Sequence, residues 1–349
     1  MTKTINKHPT LSEDLIAGKV ESAPAQAVAQ FPSIKYKPLK AAVWLKRQER
    51  SNALMLRVMT WISLRLGRSI SRSVLHLIAL YFMVFAPDSR RASLAYLPRA
   101  LGRPATWRDL YRHFFCFAAT IHDRIYLINR RYDLFDIDIQ GKEHIVPLIN
   151  AGQGVFLMGA HLGSFEVMRA IGRQVPGLRV GMVMHEDNAQ KINGMLAAIN
   201  PEASMDVIPL GHIDSMLQVQ ERLNDGMLVG MLSDRTLGDE PMTEINLLGA
   251  SAALPIGPFR MAALLRRPVV FMTGLYMGGN RYQVHFDTLA DFTDIPKGQR
   301  GQLVDKAILR YTELLNRYTR LAPYNWFNFF DYWQNVPSSL NEKLHDKND

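Results

Sequence analysis

A chain of 349 residues with 48% hydrophobic side chains can bury a sizeable core and fits a globular protein with some affinity for membranes. Its single cysteine, Cys116, excludes an internal disulfide framework and makes the cytosolic side the natural compartment. In HFFCFAAT that cysteine reads as a buried structural residue of an apolar helix, because no neighbour obviously lowers its pKa.

The overall charge of +9 is unevenly spread. Residues 1–40 form a polar leader rich in Ala, Pro, Lys and Ser, without the sustained apolar stretch of a cleavable secretion signal. Residues 41–131 read as a basic, amphipathic helical region. From Lys35 to Arg131 there are 19 Lys and Arg against four acids (Glu49, Asp88, Asp109, Asp123), a net of +15, so the rest of the chain is net acidic. Trp44, Trp61, Tyr81, Phe82, Phe85 and Trp107 are interleaved with these bases. Basic residues beside apolar and aromatic ones suit a helix sunk into the headgroup boundary of an anionic membrane. Nucleic acid, the competing polyanion, is disfavoured: no zinc, ribonucleoprotein or helix-turn-helix signature accompanies the basic block. The longest apolar run, Leu77 to Ala86, has ten residues against the roughly 20 that cross a bilayer, so the region is expected to lie on a membrane.

Residues 132–336 read as the catalytic domain and 337–349 as a polar tail. Tyr132 to Gly141 alternates like a strand, and strands and helices then follow in turn: strand Val155–Ala160, helix Phe165–Gly172, strand Arg179–Met184, helix Ala189–Ile199 and strand Met205–Leu210. Next come helix Ser215–Leu223, with Asp214 as a possible cap, and strand Met227–Leu232. Gly257-Pro258 can open a helix to Leu265. Val269–Met277 and Tyr282–Leu289 resemble two antiparallel strands joined by Gly278-Gly279-Asn280. The expected fold is α/β, a largely parallel but mixed sheet covered by helices.

Within GVFLMGAHLGSFEVMRA, His161 and Glu166 are five residues apart. On one continuous helix they would stand about 140° apart and share no face, so the histidine must precede the helix. Leu162, Gly163 and Ser164 supply the turn, with Ser164 as N-cap. His161 then projects from a strand's carboxyl end, where open α/β sheets bind ligands, and Glu166 can reach back to one imidazole nitrogen. The spacing alone is weak, since His8 and Glu13 repeat it in the leader. Asp234-Arg235 follows the buried run MLVGML and falls on the same rim, as either an anion site or a structural ion pair. Asp123-Arg124, in the helical region, reads as structural.

GAHLGSFE, LSDR (Ser233, Asp234, Arg235) and NWFNFFDYW (Asn325 to Trp333) resemble the lysophospholipid acyltransferase superfamily, in particular its branch of lipid A late acyltransferases, over residues 40 to 335. His161 and Glu166 match that branch's H-x4-E motif. The chain departs from the lipid A enzymes in HEDNAQKINGMLAAINP, which lacks the arginine they usually carry there. The resemblance implies a membrane-associated O-acyltransferase on the cytoplasmic face of a bacterial inner membrane, peripheral or monotopic. It would move an acyl chain from an acyl carrier protein or coenzyme A thioester to a hydroxyl of a lipid or glycolipid. His161 would be the general base, oriented by Glu166. Backbone N–H groups of the HLGS turn, Gly163 and Ser164 among them, would be candidates to receive the oxyanion, with Gly163 allowing close approach, and Asp234 and Arg235 would bind substrate. The thioester is a co-substrate, and no other cofactor and no metal is expected: His185-Glu186-Asp187 lacks a second ligand cluster, and Gly152-x-Gly154 lacks the rest of a dinucleotide fingerprint. NWFNFFDYW reads as a core-closing segment or as part of an acyl channel. A non-catalytic lipid-binding scaffold and a thioester hydrolase are the competing readings.

Overall fold

The computed structural model describes residues 53–186, 193, 194, 196, 199, 200, 207–210, 214–235, 241–296 and 298–333. The leader, Trp44, the tail and most of the expected helix Ala189–Ile199 lie outside these residues, as do Met205 and Asp206 of the expected strand.

Three helices come first: α1 (Ala53–Phe85), α2 (Pro87–Leu101) and α3 (Trp107–Ile128). Gly67 breaks the regular geometry of α1 with φ 80° and ψ 169°. Thr106 opens α3 with a capping box, its hydroxyl taking the Asp109 N–H while the Asp109 carboxylate takes the Thr106 N–H. A longer apolar segment exists than the uninterrupted run suggested. By length and composition Thr60–Phe85 could cross a membrane, although only 22% of that window is buried against the rest of the protein. Isolated arginines interrupt its apolar runs but leave the segment apolar on average.

The sheet begins with β1 (Asp136–Gln140) and, after the short helix α4 (Val146–Asn150), β2 (Val155–Gly159). Then come α5 (Phe165–Gly172), β3 (Val180–His185), β4 (Val207–Leu210), α6 (Ser215–Asn224) and β5 (Leu228–Leu232). A hairpin of β6 (Met242–Leu247) and β7 (Ala250–Pro255) precedes α7 (Gly257–Leu264), β8 (Pro268–Tyr276), β9 (Arg281–Asp291) and α8 (Arg300–Leu321). The seven-stranded sheet has the order β1-β9-β8-β2-β5-β3-β4. Its neighbours run parallel except β8 and β9, which pair antiparallel across the expected Gly278-Gly279-Asn280 turn. The α/β class and the mixed sheet are as expected. The β6–β7 hairpin and α8 were not read from the sequence. The hairpin turn uses Leu248 at φ 53° and Gly249 at φ 82° instead of the usual Asn-Gly. The strained leucine is supported from afar, its N–H donating to Asn316 Oδ1 of α8 at 2.7 Å.

Helices cover both faces of β2, which is buried throughout. Phe156 and Met158 face a core shared with Phe271, Tyr311 and Leu315, while Val155 and Leu157 face one shared with Val167, Ile171, Ala119, Leu127 and Leu75. The first three helices therefore share these cores with the sheet. A buried ion pair ties α1 down. The Asp123 carboxylate, fully buried, accepts from Arg68 Nε at 2.8 Å and Nη2 at 2.9 Å and from the Tyr282 hydroxyl at 2.9 Å. Burial alone would push the Asp123 carboxyl up, but its His122, Arg68 and Tyr282 partners hold it below the usual carboxylate range. Arg68→Met should therefore strand a buried charge and cost roughly 3 kcal/mol. Arg91→Met, at an exposed pair with Asp88, should cost less than about 1 kcal/mol. Thermal or denaturant melts of both variants check the contrast.

Candidate active site

The turn after β2 is built around Gly163. Its φ is +76°, and a Cβ there would lie 2.1 Å from the Gly274 carbonyl oxygen of β8, so both conformation and space demand glycine. Ser164 stands at the N-cap of α5 but makes no side-chain capping bond. The Gly163 N–H donates to the Asn325 carbonyl and the Ser164 N–H to the Gly274 carbonyl, each at 2.8 Å. These two amides are thus engaged within the fold, which corrects the expectation that they receive an oxyanion. Both residues act by fixing the path that delivers His161.

Strands β2 and β5 are parallel neighbours whose register pairs Gly159 with Leu232. Two residues further along each strand this brings His161 beside Asp234. His161 Nδ1 and Asp234 Oδ1 are 2.7 Å apart, and the His161 backbone N–H donates to Asp234 Oδ2 at 3.1 Å. Asp234 is fully buried, whereas a quarter of the His161 side chain is exposed. Burial by itself would push the Asp234 carboxyl up, but the charge and hydrogen bond of His161, with Arg235 and Asn328, hold it below the ordinary carboxylate range. An ionised carboxylate can only accept, so Nδ1 carries a proton in this pair, and when the ring is neutral its lone pair is on Nε2.

Glu166 does not take the expected place. Its two carboxylate oxygens lie 2.9 and 3.0 Å from Arg169 Nη1, one helical turn on, with both side chains buried. The group that meets the imidazole Nδ1 is Asp234. The physical reason is register: parallel strand ends bring 161 and 234 together, while the first turn of α5 directs Glu166 at a buried guanidinium that needs a counter-charge. Burial lowers the Arg169 pKa, with the Glu166 charge opposing that shift. Arg235 follows on the same rim, half-buried, with its guanidinium carbon 5.7 Å from the centre of the Phe330 ring.

The aromatic segment after α8 closes the site. Leu162 and Trp326 form an antiparallel bridge, and the Phe327 N–H donates to the His161 carbonyl at 2.7 Å. Trp326 Nε1 and Asn328 Nδ2 donate to Asp234 Oδ2 at 3.1 and 2.9 Å, and the Tyr332 hydroxyl donates to the Asp234 carbonyl at 2.6 Å. Asn325 clamps β8, accepting the Tyr276 N–H at 2.7 Å and donating to the Tyr276 carbonyl at 3.1 Å. The sequence reading of this segment as core-closing or part of an acyl channel does not include these bonds to Asp234. Their signal was the pair of asparagines in an otherwise aromatic run, polar side chains that a core-closing segment would need to satisfy.

A family model of the bacterial lipid A biosynthesis acyltransferases matches residues 49–329. The chain belongs to that family. It is accordingly an acyltransferase. No curated protein matches it in sequence. Among solved structures it is similar to the 1-acyl-sn-glycerophosphate (LPA) acyltransferase PlsC from Thermotoga maritima, at 12% identity and a TM-score of 0.35, over 75% of this chain and 95% of that one.

Burial pushes the Cys116 thiol up to about 12, with Arg112 and Arg72 pulling weakly the other way, so it is a poor nucleophile at neutral pH. Among the described residues no group of three or more His, Cys, Asp or Glu could hold a metal ion.

Helix α3 reaches the closing segment through His113, which is fully buried. Its Nε2 lies 2.9 Å from the Trp326 carbonyl and its Nδ1 3.1 Å from the Ser93 hydroxyl. Burial lowers its pKa to about 4, opposed by the bond to Trp326. The unfolded chain therefore takes up a proton below about 6.5, but the folded one resists until about 4. Stability contributed by neutral His113 is complete above about 6.5 and is lost as the pH falls towards 4, on the order of 3 kcal/mol in all. His113→Gln should flatten the fall in melting temperature across that window, as melts at pH 7, 6, 5 and 4.5 will show.

Proposed function

We propose that this acyltransferase transfers an acyl chain from an acyl carrier protein or coenzyme A thioester to a hydroxyl of a lipid or glycolipid at an anionic membrane surface. In this reading His161 is the general base and Asp234 its orienting carboxylate. The observation that carries it is the 2.7 Å contact between His161 Nδ1 and the buried, ionised Asp234. It leaves Nε2 as the acceptor on a partly exposed ring.

The steps balance without an acyl-enzyme. Nε2 takes the acceptor's hydroxyl proton as that oxygen attacks the thioester carbonyl carbon, and Asp234 stabilises the imidazolium that forms. The tetrahedral oxyanion collapses, the C–S bond breaks, and the departing thiolate recovers the proton from Nε2 to leave as thiol. Arg235 is our choice for gripping a phosphate of donor or acceptor, because its planar fork suits that geometry. Glu166, paired with Arg169, holds the start of α5 and hence the turn that presents His161. The thioester is the co-substrate, and the mechanism calls on no other cofactor.

The membrane part of the reading rests on α1. Trp61, Ile70, Leu77, Tyr81 and Phe85 are each more than half exposed. In the part of α1 that follows Gly67, the side opposite Ile70, Leu77, Tyr81 and Phe85 is held by the protein: Arg68 bonds Asp123, Arg72 donates to the Tyr276 hydroxyl at 2.7 Å, and Ser71, Leu75 and Ala79 are buried. A helix held along one side by the catalytic domain is suited to lying in the headgroup boundary with its free apolar side inward. Crossing the bilayer would carry that polar attachment into hydrocarbon.

Two experiments test these statements. The protein is incubated with acyl carrier protein and coenzyme A thioesters plus a membrane lipid extract, and the lipids are analysed by mass spectrometry. His161→Ala should lower transfer by a factor of about 10²–10⁴ while remaining folded. Asp234→Asn should fall in the same range, because the amide favours the wrong tautomer. Glu166→Gln, corrected for any loss of folded protein, should lose far less than Asp234→Asn; the reverse order would return the orienting role to Glu166. In the second experiment, vesicle binding should require anionic lipid and weaken with salt. Trp61→Asp with Leu77→Asp should abolish binding without lowering the melting temperature, and binding indifferent to lipid charge, salt and these changes would refute the membrane assignment.

A further inference from the structure

A carboxylate that is wholly buried beside an imidazole has two ways to satisfy its charge: take up a proton or collect donors. Asp234 collects donors, and they are divided unequally. Oδ1 faces His161 Nδ1 at 2.7 Å, whereas Oδ2 receives the His161 N–H at 3.1 Å, the Trp326 indole N–H at 3.1 Å and the Asn328 amide N–H at 2.9 Å. Three donors saturate the lone pairs of Oδ2. No lone pair is left there for a proton, and the carboxylate cannot rotate without breaking bonds at both ends.

Trp326 and Asn328 are two residues apart on a segment that lies antiparallel beside the His161 turn. In extended chain such residues share a face. Both are buried, Trp326 at 1% and Asn328 at 2% exposure. The alternate residues Phe327 and Phe329 pack against Phe117 with ring centres 5.3 and 5.1 Å away. The period of two therefore sends N–H donors to Asp234 and aromatic rings to α3.

From this arrangement we infer that Trp326 and Asn328 are positioning residues for the transfer reaction: through their bonds to Asp234 Oδ2 they fix the carboxylate that holds the His161 imidazole. The inference rests on the assignment of His161 as base. It goes further in giving a chemical task to a segment that otherwise looks like core. Trp326 and Asn328 touch no reacting atom and act only through Asp234. Each donor also spreads the carboxylate's charge, so removing one leaves more negative charge on Oδ1 facing the imidazole and makes His161 easier to protonate.

The test uses the full-length protein labelled with [15N]histidine and needs no substrate. The His161 resonances are identified by their loss in His161→Ala. In the parent protein the neutral ring should show the Nδ1–H tautomer. Trp326→Phe removes the N–H but keeps an aromatic ring, and Asn328→Leu removes the amide at similar volume. In each folded variant the His161 titration midpoint should rise by about one pH unit, with an increased share of the other tautomer. In the transfer assay kcat should fall severalfold more than KM changes. If both variants fold and the midpoint, tautomer and kcat match the parent protein, Trp326 and Asn328 are packing residues and the inference is overturned. If one variant fails to fold, the other decides alone. Full transfer by His161→Ala would be a separate failure, removing the base and the positioning role together.

Discussion

The site depends on one buried negative charge. Asp234 sits where β5 ends, wholly removed from water, and burying an isolated carboxylate costs so much that it would neutralise unless its oxygens were satisfied. The surrounding structure meets that demand with groups far apart in sequence: His161 from the end of β2 and Trp326 and Asn328 from the segment after α8. The charge is therefore a folding constraint as well as a chemical asset. The chain cannot bury Asp234 at low cost until the last segment has returned to close over it.

Register explains why Asp234, and not the nearer Glu166, meets the histidine. Parallel strands in the pairing Gly159 to Leu232 bring residues 161 and 234 side by side by backbone geometry. A glutamate in the first turn of α5 needs a helix entry angle that aims it backwards. Gly163 sets that entry, and its path is pinned by Asn325 and Gly274. The outcome is a division of labour: one carboxylate serves the imidazole, and the other neutralises a buried arginine beneath it.

Much of this was legible in the sequence. Apolar runs bounded by glycine marked β2 and β5, their position before a turn put His161 and Asp234 on one rim, and Gly278-Gly279-Asn280 marked the antiparallel pair. What could not be read was pairing. A parallel register is a long-range property, and no spacing between residues 161 and 234 encodes it. For α8, apolar positions such as Val304, Ile308, Tyr311, Leu315 and Tyr318 carry the helical period in plain view. The hairpin of β6 and β7 was obscured because its turn residue is a leucine whose unusual backbone is supported by Asn316. The asparagines of NWFNFFDYW were hidden by the aromatic residues around them.

The helices that precede the sheet connect the proposed membrane face to the base. Helix α3 carries Asp123, which holds Arg68 of α1, and ten residues earlier carries His113, which meets the carbonyl of Trp326. Trp326 in turn holds Asp234. Helix α3 thus fixes both the attachment of the apolar α1 and the segment that clamps the carboxylate proposed to orient the base. For an enzyme whose proposed acceptor lies in a bilayer, this sets the height and tilt of His161 relative to the lipid surface by side-chain bonds instead of by a linker. Positioning of that kind matters because a proton can be taken in the transition state only when base and hydroxyl are within hydrogen-bond reach, and a base at variable depth would meet an anchored hydroxyl only part of the time.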